Sequence, residues 1–190
     1  GDGRTFHRPA TLEALLALRA AHPEAVLVAG ATEVGVELNK KSRAFPALIS
    51  TEGVPELAVV RRSATPRQLG GAASLTAIEE GMAGAIPALD KMLLVFAARQ
   101  IRSRATLAGN LVTASPIGDM APVLLALDAT VVLASVRGER EVPLEGFFTG
   151  YRATVLAPDE VLREVRVPHA PEASAGRTRR CDSYKVSKRR

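Results

Sequence analysis

Two stretches have residue types suited to anion chemistry: Leu27-Val28-Ala29-Gly30-Ala31-Thr32-Glu33-Val34 and, about eighty residues later, Thr106-Leu107-Ala108-Gly109-Asn110. A glycine after a strand lets the backbone approach a phosphate closely, and Thr32 adds a hydroxyl donor. In the second stretch Gly109 is free to take a positive φ and turn its N–H toward an anion, and Asn110 offers an amide. Thr113, Ser115 and Asp119 add short polar groups just downstream. Taken singly, each stretch is equally an ordinary turn that satisfies its own backbone. The first is superficially similar to a P-loop, but Val36 and Glu37 stand where the lysine and hydroxyl belong, and no G-x-G-x-x-G occurs.

Little else could carry a reaction. No Ser-His-Asp or Cys-His arrangement is visible, and no carboxylate pair stands out as acid and base, so no catalytic residue is assigned. The single cysteine, Cys181, rules out an internal disulfide and a four-cysteine iron–sulfur cluster within the chain. His7, His22 and His169 lie at no metal-ligand spacing, and no metal is expected. Phe96 is either a core side chain or a ring contact for a planar ligand. Phe147 and Phe148 read as core packing under a turn.

The elements that must position these groups are legible in outline. Thr11 caps a helix with a Leu12, Leu15, Leu16 stripe, ending near His22-Pro23. Ala25–Ala29 is a short strand broken by Gly30, residues 33–40 are ambiguous between helix and strand, and Ala47–Ser50 is a strand. The first fifty residues therefore form a β-α-β unit. Beyond a turn at 53–57, a hairpin joins 57–60 to 68–72, and Ser74 caps a helix through Glu80. A long apolar helix is expected over 85–99, with Pro87 in its first turn. Residues 106–119 read as loop and 119–127 as helix. Residues 130–136 and 140–142 form a hairpin about Gly138, 161–167 a half-exposed strand and 181–187 a last strand.

The chain of 190 residues is 47% hydrophobic, enough for one core or two small lobes. The net charge of +5 is concentrated in residues 163–190, which hold nine Lys and Arg. A basic stretch can signal nucleic acid, but no pattern of interleaved aromatics supports that reading here. No apolar run is long enough to span a membrane and no secretion signal is visible, so a soluble cytoplasmic protein is expected.

In order, the strings V-A-G-A-T-E, F-A-A-R-Q-I-R-S-R-A-T-L-A-G-N, T-A-S-P-I-G-D, F-F-T-G-Y-R and Y-K-V-S-K-R-R resemble the FAD-binding domain of the xanthine dehydrogenase family. The likeness is to the small flavin-bearing subunit of bacterial two-subunit enzymes in particular. It runs from Phe6 to Arg190, and Ala108-Gly109-Asn110 with Ala114-Ser115-Pro116 is its most specific part. Ala31 departs from a position that is commonly polar in the family, and Thr106 and Ala108 are variants of its usual small residues.

The resemblance implies an α+β, vanillyl-alcohol-oxidase-like (PCMH-type) FAD-binding fold. It would have a small N-terminal β-α-β lobe over 1–54 and a larger mixed α+β lobe over 55–190, continuing past Arg190 into a further subdomain. It implies that Leu27, Val28, Ala29, Gly30, Ala31, Thr32, Glu33 and Val34 wrap the pyrophosphate and part of the flavin. Phe96 would make a ring contact. Thr106, Leu107, Ala108, Gly109 and Asn110 would bind phosphate and ribityl groups. Asp119 would lie near the ribose, Leu162 would line the pocket, and Lys185 would reach the flavin. The implied function is electron transfer in a molybdenum hydroxylase oxidising hypoxanthine or xanthine, from iron–sulfur centres through FAD to NAD. The iron–sulfur domain and the molybdopterin-binding subunit would be partners in a hetero-oligomer, with no nucleic acid and no membrane. The alternatives are the FAD domain of a carbon monoxide dehydrogenase or aldehyde oxidase relative, or a non-catalytic basic binding module.

Overall fold

The computed structural model describes residues 3–169 and 181–186 and shows a mixed α+β architecture with two main sheets. Strands β1 (Thr5–His7), β2 (Val26–Val28) and β3 (Ala47–Ser50) form a parallel sheet in the order β1-β3-β2. Parallel strands need crossovers. Helix α1 (Leu12–Ala21) supplies the first, capped by the Thr11 hydroxyl, which accepts from the Ala14 N–H. Helix α2 (Val34–Lys41) supplies the second and resolves the ambiguity of that segment.

The second sheet is antiparallel. It comprises β4 (Val60–Arg61), β5 (Arg67–Gly70), β6 (Thr130–Ser135), β7 (Gly138–Pro143) and β10 (Val161–Val167), in the order β4-β5-β10-β6-β7. A small hairpin pairs β8 (Phe148–Gly150) with β9 (Ala153–Thr154). Helices α3 (Leu75–Met82), α4 (Pro87–Val95), α5 (Arg99–Arg102), α6 (Leu107–Val112) and α7 (Met120–Ala126) complete the chain. Leu75, Ile78, Leu89, Leu93, Leu107, Leu111 and Leu124 pack with Val131, Leu133 and Val165 from the sheet into the larger core. Leu15, Ile49, Val54 and Leu57 pack against Ala134 and Val161, so a smaller core joins the parallel sheet to the antiparallel one. Among the described residues no helix is long and apolar enough to cross a membrane.

Several expectations are corrected. The helix expected over 85–99 is broken: α4 stops at Val95, Ala97 takes φ +40°, and α5 starts afresh at Arg99. The break is stabilised because the Arg102 guanidinium donates to the carbonyls of Phe96 (2.9 Å) and Ala97 (3.0 Å), which continuing helix would have used. The expected loop over 106–119 contains α6, because Leu107 and Leu111, four residues apart, both bury in the core. Strand β10 is central and buried, not half-exposed; its charges survive because Arg166 pairs with Glu164 and Glu141, and Arg163 with Glu139. The expected hairpin forms, but its first strand is short: Pro55–Leu57 is a 3-10 turn, and only the two-residue β4 pairs with β5, Val60 opposite Leu69 and Arg61 opposite Gln68. The last expected strand joins no sheet within 181–186, and Ser187 lies outside the described residues, as does most of the basic stretch.

Candidate cofactor site

A cavity of about 640 Å³ opens between the carboxyl ends of β2 and β3 on one side and the segments 96–101 and 105–119 on the other. That volume is in the range of small-molecule and cofactor sites. The carboxyl edge of parallel strands is where open α/β sheets bind ligands, because their loops diverge there and leave backbone groups unpaired.

The first wall is the segment Val28–Val34. Ala31 takes φ +59°, a left-handed turn between β2 and α2. Among the described residues, none of the five N–H groups from Gly30 to Val34 has a hydrogen-bond acceptor. Successive N–H groups around a left-handed residue form an anion-binding concavity, and the start of α2 adds positive potential. The carboxylates nearby are neutralised. Glu33 pairs with Arg152 (3.3 Å) across the cavity mouth, and Glu37 pairs with Lys41 (2.5 Å) and Arg43 (3.5 Å). The hydrogen bond from Lys41, then charge and hydrogen bonding from Lys41 and Arg43, holds Glu37 below the usual carboxylate range. Gly30 has a reason of its own to be glycine. A Cβ there would lie 1.5 Å from the Arg104 carbonyl oxygen, so the close approach is to the opposite wall of the cavity.

The second wall works differently from its sequence expectation. Gly109 is helical and does not adopt a positive φ. Its N–H donates to Thr106 Oγ1 (3.2 Å), the cap of α6. The N–H groups of Leu107, Ala108 and Asn110 donate to the carbonyls of Ala73, Gly71 and Thr106. The N–H groups of residues 107–110 are thus all taken, so this part of the wall contributes side chains. Thr106, Ala108, Gly109 and Asn110 line the cavity, whereas Leu107 is fully buried in the core and does not. Asn110 Oδ1 is buried without a partner among the described residues, an acceptor left open beside the cavity.

Phe96, turned out by the break after α4, lines the same cavity, as do Asp119 and Leu162. Lys185 does not line it directly. Its ammonium pairs with Asp119 (2.7 Å) and stands 5.5 Å from the centre of the Phe96 ring. The segment carrying Lys185 is strapped to α4: Lys91 pairs with Asp182 (2.6 Å), and the Ser183 hydroxyl donates to the Ala88 carbonyl (2.8 Å). Leu27, Val28, Ala29, Gly30, Ala31, Thr32, Glu33 and Val34 all line the cavity. The fold thus brings every expected site residue except Leu107 and Lys185 to one cavity, and Lys185 to its edge.

Sequence reasoning passed over Arg43, Phe45, Thr51 and Arg152, which also line it. Arg152 belongs to the F-F-T-G-Y-R string and had a signal; Thr51, directly after a strand, had none. Among the described residues no group of three His, Cys, Asp or Glu side chains could hold a metal ion.

This fold and this cavity define a cofactor-binding domain, and comparison with known proteins gives its kind. The chain superposes on carbon monoxide dehydrogenase from Oligotropha carboxidovorans with a TM-score of 0.83 and 24% identity, covering 88% of this chain and 60% of that one. It superposes on quinoline 2-oxidoreductase from Pseudomonas putida 86 with a TM-score of 0.82 and 28% identity, covering 88% and 59%. In sequence it is 39% identical to xanthine dehydrogenase/oxidase of Gallus gallus over 184 residues, 90% of this chain and 14% of that protein. It is 44% identical to xanthine dehydrogenase of Drosophila pseudoobscura pseudoobscura over 174 residues, 83% of this chain and 13% of that protein. The chain thus spans about one-seventh of the length of the curated relatives it matches. Residues 3–170 match the family described as the FAD binding domain in molybdopterin dehydrogenase, and the chain belongs to that family. Its fold is the α+β, PCMH-type FAD-binding fold.

Proposed function

We propose that this chain holds FAD in the cavity between the carboxyl ends of β2 and β3 and the segments 96–101 and 105–119, and passes electrons from iron–sulfur centres to NAD within a molybdenum hydroxylase that oxidises purines. The observation that carries the reading is the run of five N–H groups from Gly30 to Val34 without an acceptor among the described residues, facing a wall where Asn110 Oδ1 likewise has no partner among them. A dinucleotide needs both: donors for its pyrophosphate and polar partners for its sugar hydroxyls. The residues present therefore fit the group. The purine assignment is favoured by the xanthine dehydrogenase relatives, which are more similar in sequence than the carbon monoxide dehydrogenase neighbour.

Bound flavin would supply the step between one-electron and hydride chemistry. The chain's own residues bind and orient it. Gly30–Val34 hold the phosphates through backbone N–H groups. Phe96 and Leu162 present apolar surface to a ring, and Asn110 and Asp119 offer acceptors to hydroxyls. Lys185, restrained by Asp119, puts a cation beside Phe96 and lowers the cost of negative charge arriving on a neighbouring ring. Residues 1–54 and 55–190 would be the two lobes that clamp it. The iron–sulfur domain and the molybdopterin subunit would be partners in a cytoplasmic hetero-oligomer.

The test is the identity and stoichiometry of the cofactor. Denaturing the intact protein should release FAD at about one per chain, and NADH should bleach the visible flavin bands anaerobically. Release of FMN would overturn the cofactor assignment. Bands that NADH leaves unchanged would overturn the NAD assignment alone.

A further inference from the structure

We propose that Thr51 is a further residue holding the cofactor, its hydroxyl donating to a phosphate oxygen of the dinucleotide seated on Gly30–Val34; the inference rests on the FAD reading above. Thr51 is buried, at 8% exposure, and lines the cavity. Its Oγ1 has no hydrogen-bond partner among the described residues. That sets it apart from the other buried hydroxyls. Ser50 accepts from the Glu52 N–H, Thr106 from the Gly109 N–H and Ser135 from the Arg137 N–H, while Ser183 donates to the Ala88 carbonyl. A buried hydroxyl left unpaired is costly, and the cost is recovered when a ligand supplies the partner.

Its place in the fold says which ligand atoms are within range. Thr51 directly follows β3, and its N–H donates to the Val28 carbonyl (2.9 Å). It therefore stands beside Ala29, one residue before the run of open N–H groups begins at Gly30, at the shared carboxyl edge of β2 and β3. The chain offers donors in that corner, and the acceptors that suit a further donor are phosphate oxygens. Rotation about χ1 exchanges the hydroxyl with the methyl group, so the backbone need not move to make the contact.

The test uses Thr51→Val, which keeps the shape and removes the hydroxyl, and Thr51→Ser, which keeps the hydroxyl. Both are made in the intact protein, the flavin is stripped, and FAD is titrated back by fluorescence, with ADP as a competitor that carries the pyrophosphate. Thr51→Val should weaken FAD and ADP in parallel by about tenfold, the value of one hydrogen bond. Thr51→Ser should stay near wild type. Stripped Thr51→Val should melt at or above the wild-type temperature, because an unpaired hydroxyl is gone. Unchanged FAD affinity in Thr51→Val overturns the proposal. So does FAD loss with ADP unaffected, which moves the contact off the phosphates, or a lower melting temperature of the stripped variant, which makes the hydroxyl structural. Wild-type protein that fails to take up FAD overturns the cofactor reading itself and this proposal with it.

Discussion

Gly30→Ala tests whether the two walls of the cavity are set by direct backbone contact. The added Cβ would lie 1.5 Å from the Arg104 carbonyl oxygen and 2.2 Å from its carbon, where ordinary contact begins near 3.4 Å. The walls must therefore part by roughly 2 Å, well beyond what packed atoms absorb in place. The opposing segment cannot yield cheaply. The Ala105 carbonyl accepts from the Leu75 N–H (2.9 Å), and the Arg104 side chain is tied to Glu52 (2.7 Å). The displacement falls on residues 29–31. Overpacking costs about 1–3 kcal/mol, and a backbone clash belongs at the upper end. For a chain of this size that lowers Tm by about 6–12 °C. FAD affinity should fall at least about tenfold, because the unpaired N–H groups move with the segment. Gly109→Ala is the contrast. Its Cβ would meet only Thr106 Oγ1, at 3.0 Å, and a helical glycine replaced by alanine gains up to about 1 kcal/mol, so Tm should change by no more than about 4 °C. Thermal melts and FAD titration of both variants decide the matter. A Gly30→Ala protein that melts and binds FAD like wild type refutes the reasoning.

Phe147 is fully buried and meets Phe148 edge-on with ring centroids 5.2 Å apart, so Phe147→Ala should cost about 3–5 kcal/mol in denaturant titration. Asp182 is pulled down to about 2, first by the hydrogen bond from Lys91, then by those from Tyr184 and the Ser183 N–H. A carboxyl depressed on folding contributes above its unfolded value and loses that contribution as pH falls. The 181–186 segment should therefore detach between about pH 4 and 2, seen as loss of Ser183 amide protection, and Asp182→Asn should abolish this acid dependence. The Lys185–Asp119 pair is mostly shielded, and a double-mutant cycle with Lys185→Met and Asp119→Asn should give a coupling of about 1 kcal/mol that shrinks in high salt.

Local chemistry made several features of this chain legible without coordinates. Thr11 and Ser74 cap helices, Gly138 opens a hairpin, and Gly30 breaks the strand before it, because capping and turn chemistry act over a few residues. The family was also legible in the order of short strings, and the match of residues 3–170 to the family of FAD binding domains in molybdopterin dehydrogenase bears that resemblance out. Tertiary structure decided the rest. Helical periodicity over 85–99 hid the break that turns Phe96 toward the cavity, because the carbonyls it frees are taken by Arg102, a contact no local pattern encodes. The glycine in the second stretch looked free to bind an anion, but Thr106 and the 71–73 backbone take the surrounding N–H groups. Thr51 carried no motif at all. Its unpaired hydroxyl has meaning only because β3 pairs with β2 and sets it beside the open end of the 30–34 segment. Sequence determines which groups a segment has to offer; the fold determines which of them are already satisfied, and the ones left over make the site.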